Sequence, residues 1–419
     1  MKERTVSSCI AFSICVILFG TSRVPAQGFS GSGLFVNGRV PLQSGSTTAG
    51  DTASQPSLPA ATPAWSLLRY LGSVGLGLQR FNHSAVFDPN TNRMIVFAGD
   101  LGDAELDTKN DLWVLANANG LGGTPQWTNL ILNGAAGSPP ARELHTATYD
   151  AANNRMTVFG GYSATAFYND VWVLANANGQ GGTPAWTQLS ATGGPPAARG
   201  QHDAVYDPGS NSMTIFGGVQ SDGTELADVW VLSHANGLGG TPTWTQLSTI
   251  GGPPPGNGSS AIYDPATKVM TVFGGIANPP TFTVTNGAWA LSNANGLGGP
   301  TSKWTRLTAN GAAGSPPKRA FGTAVYDTGS NRMIVFGGGT FTTVLTERTF
   351  NDVWALANAN GKGGTPAWTK LSPAGQPPTV RSQTTAVIDV ANNLMIVFGG
   401  LGYEGVYWSV WSLSDANGL

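Results

Sequence analysis

Five arginines stand eight residues ahead of a recurring aspartate. Arg80, Arg142, Arg199, Arg319 and Arg381 precede Asp88, Asp150, Asp207, Asp327 and Asp389, and Gly256 takes that place before Asp264. A guanidinium grips a carboxylate through two parallel charge-assisted hydrogen bonds, so such a set could hold acidic peptide side chains or acidic sugars. The same group also suits bracing, in which each Arg hydrogen-bonds loop carbonyls and ties down the neighbouring unit. Regular placement favours bracing, and the two uses are compatible. Three residues further on, His83, His145 and His202 occupy matching positions in three consecutive units. Zinc accepts three histidines, but units side by side do not converge on one point and no carboxylate repeats beside them. Ordinary hydrogen bonding is therefore the expectation, and no metal is assigned. A third set is aromatic: Tyr162, Phe167 and Tyr168, then Phe341 and Phe350, then Tyr403, Tyr407 and Trp408. Aromatics near Arg suit stacking on sugar rings or peptide hot spots, or capping of the structure beneath them.

These sets recur because the chain itself recurs. Trp65, Trp127, Trp186, Trp244, Trp304 and Trp368 follow at spacings of 62, 59, 58, 60 and 64 residues. Between them the same phrases return in order: A-x-[YFI]-D, as in Ala147 to Asp150; M-x-[VI]-F-G-G, as in Met156 to Gly161; D-V-W, as in Asp170 to Trp172; and A-N-G-x-G-G-T-P-x-W-T-x-L, as in Ala177 to Leu189. Short runs of β-branched and aromatic residues bounded by turn residues are strands. Asp and Asn in the first turn satisfy local backbone donors, and the Gly-rich connector supplies positive-φ positions. Each unit is thus a four-stranded antiparallel meander with strands a to d. The strands are nearly continuous apolar runs, so both faces must be covered.

Six such sheets stacked around an axis make an all-β, six-bladed β-propeller. Met94, Met156, Met213, Met270, Met333 and Met395 fall one per unit inside a buried strand, which reads as core packing and not as a soft-metal set. The last a-b-c set has no Trp strand after it, whereas Thr62-Pro63-Ala64-Trp65 at the front matches the missing piece. The Trp65 strand is therefore expected to complete the sixth blade and close the ring. In such a meander the d-to-a and b-to-c connections share one face, where the segments differ between copies. The other face carries near-identical Asn-Gly loops, which read as turn mechanics; carboxylates there are too few for calcium. The Arg set then rings the channel mouth on the irregular face, where specificity is usually placed. The longest b-to-c loop, Gly339 to Phe350 with Glu347 and Arg348, is the candidate flap.

An Arg before strand a, a strand ending in Gly-Gly, an aromatic strand c and a Trp in strand d resemble the kelch repeat, and the resemblance runs from residue 65 to 419. Two departures are visible. Strand c carries Trp (Trp113, Trp172, Trp230, Trp289, Trp354, Trp411) where the family usually has Tyr, and a long c-d hairpin stretches the unit. Neither affects the fold. The resemblance implies a propeller like that of galactose oxidase, and a role that ranges across the family from protein or glycan binding to occasional catalysis. Acidic-peptide binders of the family line their pocket with arginines at similar positions.

Composition narrows the class. Charged residues are 11% of the chain, Gly counts 58 and the formal net charge is −2, so this is a turn-rich protein with no basic surface for nucleic acid or anionic membrane. Residues 1–26 read as a secretory signal: Lys2 and Arg4, an apolar stretch from Val6 to Gly20, and Val24-Pro25-Ala26 before a cut after Ala26. The stretch is too short and too interrupted by serines to span a bilayer. Residues 27–61 form a Ser/Gly/Thr-rich flexible linker, and 62–419 the propeller. Cys9 and Cys15 both fall inside the signal, so the mature chain has no thiol chemistry and cannot build a Tyr-Cys copper-radical cofactor.

No catalytic constellation emerges and no cofactor is assigned. The expectation is a secreted or periplasmic monomer that binds a protein or glycan through the Arg-lined face. The alternatives are an acidic-sugar isomerase or lyase of the periplasmic kelch type that acts on sialic acid, and a structural envelope component.

Overall fold

Inner strands Ser84–Asp88, Thr146–Asp150, Asp203–Asp207, Ser260–Asp264, Thr323–Asp327 and Thr385–Asp389 stand side by side around a central channel, each against the next and the last against the first. A computed structural model describes residues 62–69, 77–102, 107–277, 283–297, 301–341 and 346–419; the expected signal, 1–26, and the whole expected linker, 27–61, lie outside these. Each inner strand opens one four-stranded antiparallel meander, to which blade four adds a short outermost strand, Thr249–Ile250, running parallel to Ser302–Thr308. In blade one the order outward is Ser84–Asp88, Arg93–Asp100, Thr108–Ala116, Gln126–Ile131. In blade six the three C-terminal strands are completed by Ala64–Arg69, which runs antiparallel to Val410–Ser414 with Trp65 opposite Leu413. The fold is a closed six-bladed β-propeller, as the repeats imply.

Burial follows the radial position of each strand. Second strands are covered on both faces, as Leu394–Phe398 is, and all six repeat methionines are fully buried. Inner strands alternate, because one face lines the channel. Outer strands are half-covered, so of the six repeat tryptophans Trp65, Trp244 and Trp304 are buried while Trp127, Trp186 and Trp368 are part-exposed. All six serve one purpose nonetheless. Each packs on the second-strand Phe of the preceding blade: Trp127 on Phe398, Trp186 on Phe97, Trp244 on Phe159, Trp304 on Phe216, Trp368 on Phe273 and Trp65 on Phe336, with ring centroids 4.6–5.3 Å apart.

Hydrogen bonds encircle the axis on both faces. Below, the Asn of every A-N-G connector donates to the strand-a Asp of the preceding blade: Asn119 to Asp389, Asn178 to Asp88, Asn236 to Asp150, Asn295 to Asp207, Asn360 to Asp264 and Asn417 to Asp327, all at 2.6–2.8 Å. These loops, read as turns alone, are interblade latches. Above, Asn82, Leu144, Gln201, Gly258, Phe321 and Gln383 all take left-handed backbone conformations. Each donates its N–H to the carbonyl of its counterpart one blade back, at 2.8–3.2 Å, and Asn82 to Gln383 closes the circle. This collar forms the upper rim of the channel.

Candidate functional site

The arginines sit beneath that collar, not on it. Arg80, Arg142, Arg199, Arg319 and Arg381 are all buried. Four of them make two-pronged pairs with the Asp in or just before the third strand of the same blade: Arg80 with Asp111, Arg142 with Asp170, Arg199 with Asp228 and Arg319 with Asp352, at 2.6–3.2 Å. The second prong also accepts from the indole N–H two residues on, as in Trp172 to Asp170 at 2.8 Å, so D-V-W is a clamp as well as a strand. Each Arg further donates to the carbonyl that ends the second strand, Gly160 for Arg142 and Gly217 for Arg199. With every prong engaged inside the blade, the expectation that these guanidiniums ring the mouth and meet a ligand is corrected. They are braces, since a buried cation is stable only when paired and hydrogen-bonded.

Blade six is the variant that keeps its Arg without a carboxylate. Ser409 stands where the others have Asp and accepts from Arg381 at 3.3 Å. Burial pulls Arg381 down to about 10, opposed by Tyr407. The Tyr407 ring lies 4.3 Å from that guanidinium, and Tyr168 and Phe350 cover Arg142 and Arg319 at 4.4 and 4.5 Å. Three of the aromatics offered as ligand platforms, Tyr168, Phe350 and Tyr407, are therefore lids on the braces. Tyr162 stacks on Phe167 at 4.8 Å in its own loop, and Tyr403 alone of the four tyrosines stands well out, 58% exposed.

The three histidines share one cavity without drawing together into a set that could hold a metal ion among the described residues. His83, His145 and His202 line one cavity of about 120 Å³ under the collar, together with Asn82, Gln201, Ser259, Phe321 and Gln383. The channel is narrow enough for adjacent blades to share it. Each imidazole Nε2 shares a hydrogen bond with a hydroxyl of the preceding blade: His83 with Thr385, His145 with Ser84 and His202 with Thr146, at 2.7–2.8 Å. Each ring also stands edge-on to that blade's Phe, at 5.1–5.3 Å. Burial and then Arg142 hold His145 down to about 3, and burial with the neighbouring cations holds His83 and His202 well below the usual imidazole range. These are neutral interblade wedges whose edges reach the mouth.

Two carboxyls beside the mouth went unnoticed in the sequence. Glu143 is buried next to Arg142 and accepts from Asn82 Nδ2 at 2.7 Å; burial raises it to about 7 against that hydrogen bond, with Asp100 adding to the rise. Asp203 occupies the hydroxyl position of its inner strand, and burial raises it to about 7 although Ser259 donates to it. Their signal was departure from the repeat: the matching places hold Phe81 and Gly200 for Glu143, and Ser84, Thr146 and Ser260 for Asp203. Both side chains are buried behind the cavity and neither is part of its lining.

Short hairpins frame this face and differ from blade to blade. Gly339–Phe341 pairs with Thr346–Thr349 in blade five, Leu401–Gly402 with Gly405–Val406 in blade six, and Ile276–Ala277 with both Gly256–Asn257 and Thr283–Val284 in blade four. The Glu347 side chain lies outside the described residues. The opposite end of the channel is wider, about 400 Å³, and lined by the inner strands with Tyr149, Tyr206, Tyr263 and Tyr326.

Comparison with known proteins agrees with this architecture. The KLHDC2/KLHL20/DRC7 Kelch-repeats domain model matches residues 57–181 and 299–417. Adagio protein 3 of Arabidopsis thaliana is 27% identical over 328 residues, 77% of this chain and 48% of that protein. Adagio-like protein 1 of Oryza sativa subsp. japonica is 25% identical over 367 residues, 84% of this chain and 52% of its own. The chain thus spans about half the length of these curated relatives. Among solved structures, that of YjhT superposes with a TM-score of 0.55 at 16% identity, covering 80% of this chain and 94% of the other, which is a likeness of fold.

Proposed function

The chain belongs to the kelch-repeat family, and from that premise we propose that it is an exported recognition module, binding a protein or glycan at the upper channel mouth without chemistry of its own. One observation carries the reading. The collar repeats a single backbone conformation six times while presenting Asn82, Leu144, Gln201, Gly258, Phe321 and Gln383, six positions of which only two share a residue type. A rigid frame with dissimilar side chains is how a scaffold separates stability from specificity. The contacts come from Leu144 and Gln201, the part-exposed members of this collar, and from the exposed loops, Tyr403 among them, and not from the buried arginines.

Export is supported by the basic start, apolar stretch and Val24-Pro25-Ala26 of the first 26 residues, and by the absence of Cys after them. N-terminal sequencing of the protein recovered outside its cell is expected to begin at Gln27; retention of residues 1–26 removes this part of the reading. The binding part is tested by probing acidic and neutral glycan arrays and the exported proteome with the protein and with Gln201→Ala and Tyr403→Ala. Binding that falls about tenfold in either variant at unchanged Tm supports the mouth. Binding indifferent to both moves the contact elsewhere.

A second reading, turnover of a free acidic sugar, is favoured by Glu143 and Asp203, both held at about 7. It requires anomeric exchange or bond cleavage of sialic acid that disappears in Glu143→Gln and Asp203→Asn. No turnover by the intact protein discards it.

A further inference from the structure

Blade four lacks both halves of the brace. Gly256 replaces the Arg, and Gly287, two residues before Trp289, replaces the Asp. Losing the two together leaves no unpaired buried charge, but it leaves space. A cavity of about 220 Å³ opens there, lined by Phe216, Gly256, Gly287, Trp289, Arg306 and Asn310 among others.

The other blades show what the site is shaped to hold. In four of them the third-strand indole N–H donates to a carboxylate: Trp113 to Asp111 at 2.6 Å, Trp172 to Asp170 at 2.8 Å, Trp230 to Asp228 at 2.7 Å and Trp354 to Asp352 at 2.7 Å. In blade six it donates to Ser409 at 3.0 Å. Trp289 has the same indole, and its Nε1 makes no hydrogen bond among the described residues. A Cβ added to Gly287 would come within 3.5 Å of Trp289 Nε1, which puts that N–H at the place a carboxylate would fill. Arg306 stands across from Trp289 on the outer strand, exposed, with its guanidinium 5.9 Å from the indole ring and with no carboxylate paired to it among the described residues. Asn310 Oδ1 accepts from the Asn286 N–H, which leaves its amide as a further donor.

We propose that this cavity is a binding site for a small organic carboxylate, which takes the position of the missing Asp. The carboxylate accepts from Trp289 Nε1 and faces Arg306, while a single ring or short apolar body rests among Phe216, Pro253, Pro254 and Ile276. The volume is below the roughly 300–1,000 Å³ of pockets for drug-sized ligands, so the occupant is small. This site is apart from the collar, and its fate is independent of the reading given for the mouth.

The test uses benzoate as probe and benzamide as its uncharged match, followed through the Trp289 indole N–H resonance, assigned with Trp289→Phe. Benzoate is expected to shift that resonance saturably while benzamide does not, and Arg306→Gln to weaken binding about tenfold. Gly287→Asp is expected to abolish it by supplying the carboxylate internally; its Cβ meets only ordinary van der Waals neighbours, at 3.5–3.6 Å, so the variant is compatible with the fold. Gly256→Arg is avoided, because a Cβ there would lie 2.4 Å from the Ile276 carbonyl. The proposal is overturned if the resonance does not move up to about 10 mM benzoate, if benzamide moves it equally, or if Gly287→Asp or Arg306→Gln binds as the parent does.

Discussion

The indole of Trp65 lies 5.3 Å from the ring of Phe336, so the first described strand belongs to blade six by its backbone and reaches blade five by its side chain. That one residue both finishes a sheet and ties it to its neighbour. Trp65→Ala is expected to cost about 3–5 kcal/mol, as for a buried aromatic truncated in a packed core. The half-buried Trp127 should cost less. Chemical denaturation of both variants checks this, and an unchanged midpoint for Trp65→Ala would refute closure by that strand.

Breaking one brace should be far worse than removing both halves. Asp352→Ala strands Arg319 in the interior and is expected to lose about 3–5 kcal/mol. An Arg319→Met, Asp352→Leu double variant should recover most of that loss, as blade four does with two glycines. Comparable losses in the single and double variants would show that the pair does more than balance charge.

Ser409→Asp should stabilise the protein. Arg381 already has its position and its carbonyl acceptor, Gly399 at 3.0 Å, and lacks only the carboxylate that four other blades supply. Charged hydrogen bonds to a buried partner contribute about 1.5–3 kcal/mol. A rise in Tm is the expected outcome; a fall would mean that Tyr407 and Ser409 already satisfy the guanidinium.

The latches make the ring sensitive to acid. Burial pushes Asp150, Asp207, Asp264 and Asp327 up, but hydrogen bonds from the latch Asn and the turn outweigh it and hold all four below the ordinary carboxylate value. A lowered folded pKa gives stability that is complete above the unfolded value, near 4, and is lost as pH falls through the folded one. Asp327→Asn should therefore be less stable than the parent at neutral pH, with the gap closing on acidification. Unfolding free energies between pH 2 and 7 measure it, and a gap independent of pH would assign the loss to packing.

Glu143 and Asp203 act in the opposite sense. Their folded pKa values, about 7, exceed the unfolded ones, so the fold holds protons that the unfolded chain has released. Their contribution is complete below about 4 and declines as pH rises toward 7. Glu143→Gln should gain stability relative to the parent across that window. A difference in Tm that stays flat from pH 4.5 to 8 would place the Glu143 pKa at its ordinary value.

Blade number, strand order and closure were legible because spacing alone carries them: one Trp and one Met per unit, and a T-P-x-W at the front where the last unit wants one. The use of the arginines was not. Arg142 and Asp170 are held together by strand register, and a sequence shows D-V-W as strand before it shows an ion pair. One trace was present: the unit with Gly256 for Arg is also the unit with Gly287 for Asp. The latches were hidden for a related reason. Asn178 and Asp88 each look like ordinary turn residues, and only the curvature that brings successive blades together reveals them as partners. That His83, His145 and His202 share one cavity depends on channel width, which six inner strands set at once and no single repeat encodes.

The latches, the collar, the histidine wedges and the Trp-on-Phe packing all point the same way, each blade reaching back to the one before it in the chain. For a polypeptide made from its N-terminus this has a temporal meaning. Every new blade finds the acceptors it needs already synthesised, so the array can extend in order. The exceptions belong to blade one, whose Asn119 waits for Asp389, Asn82 for Gln383 and His83 for Thr385, and to the Trp65 strand, which waits for Val410–Ser414. None of these bonds can form before the final blade is present, and until then the chain has one unsatisfied seam.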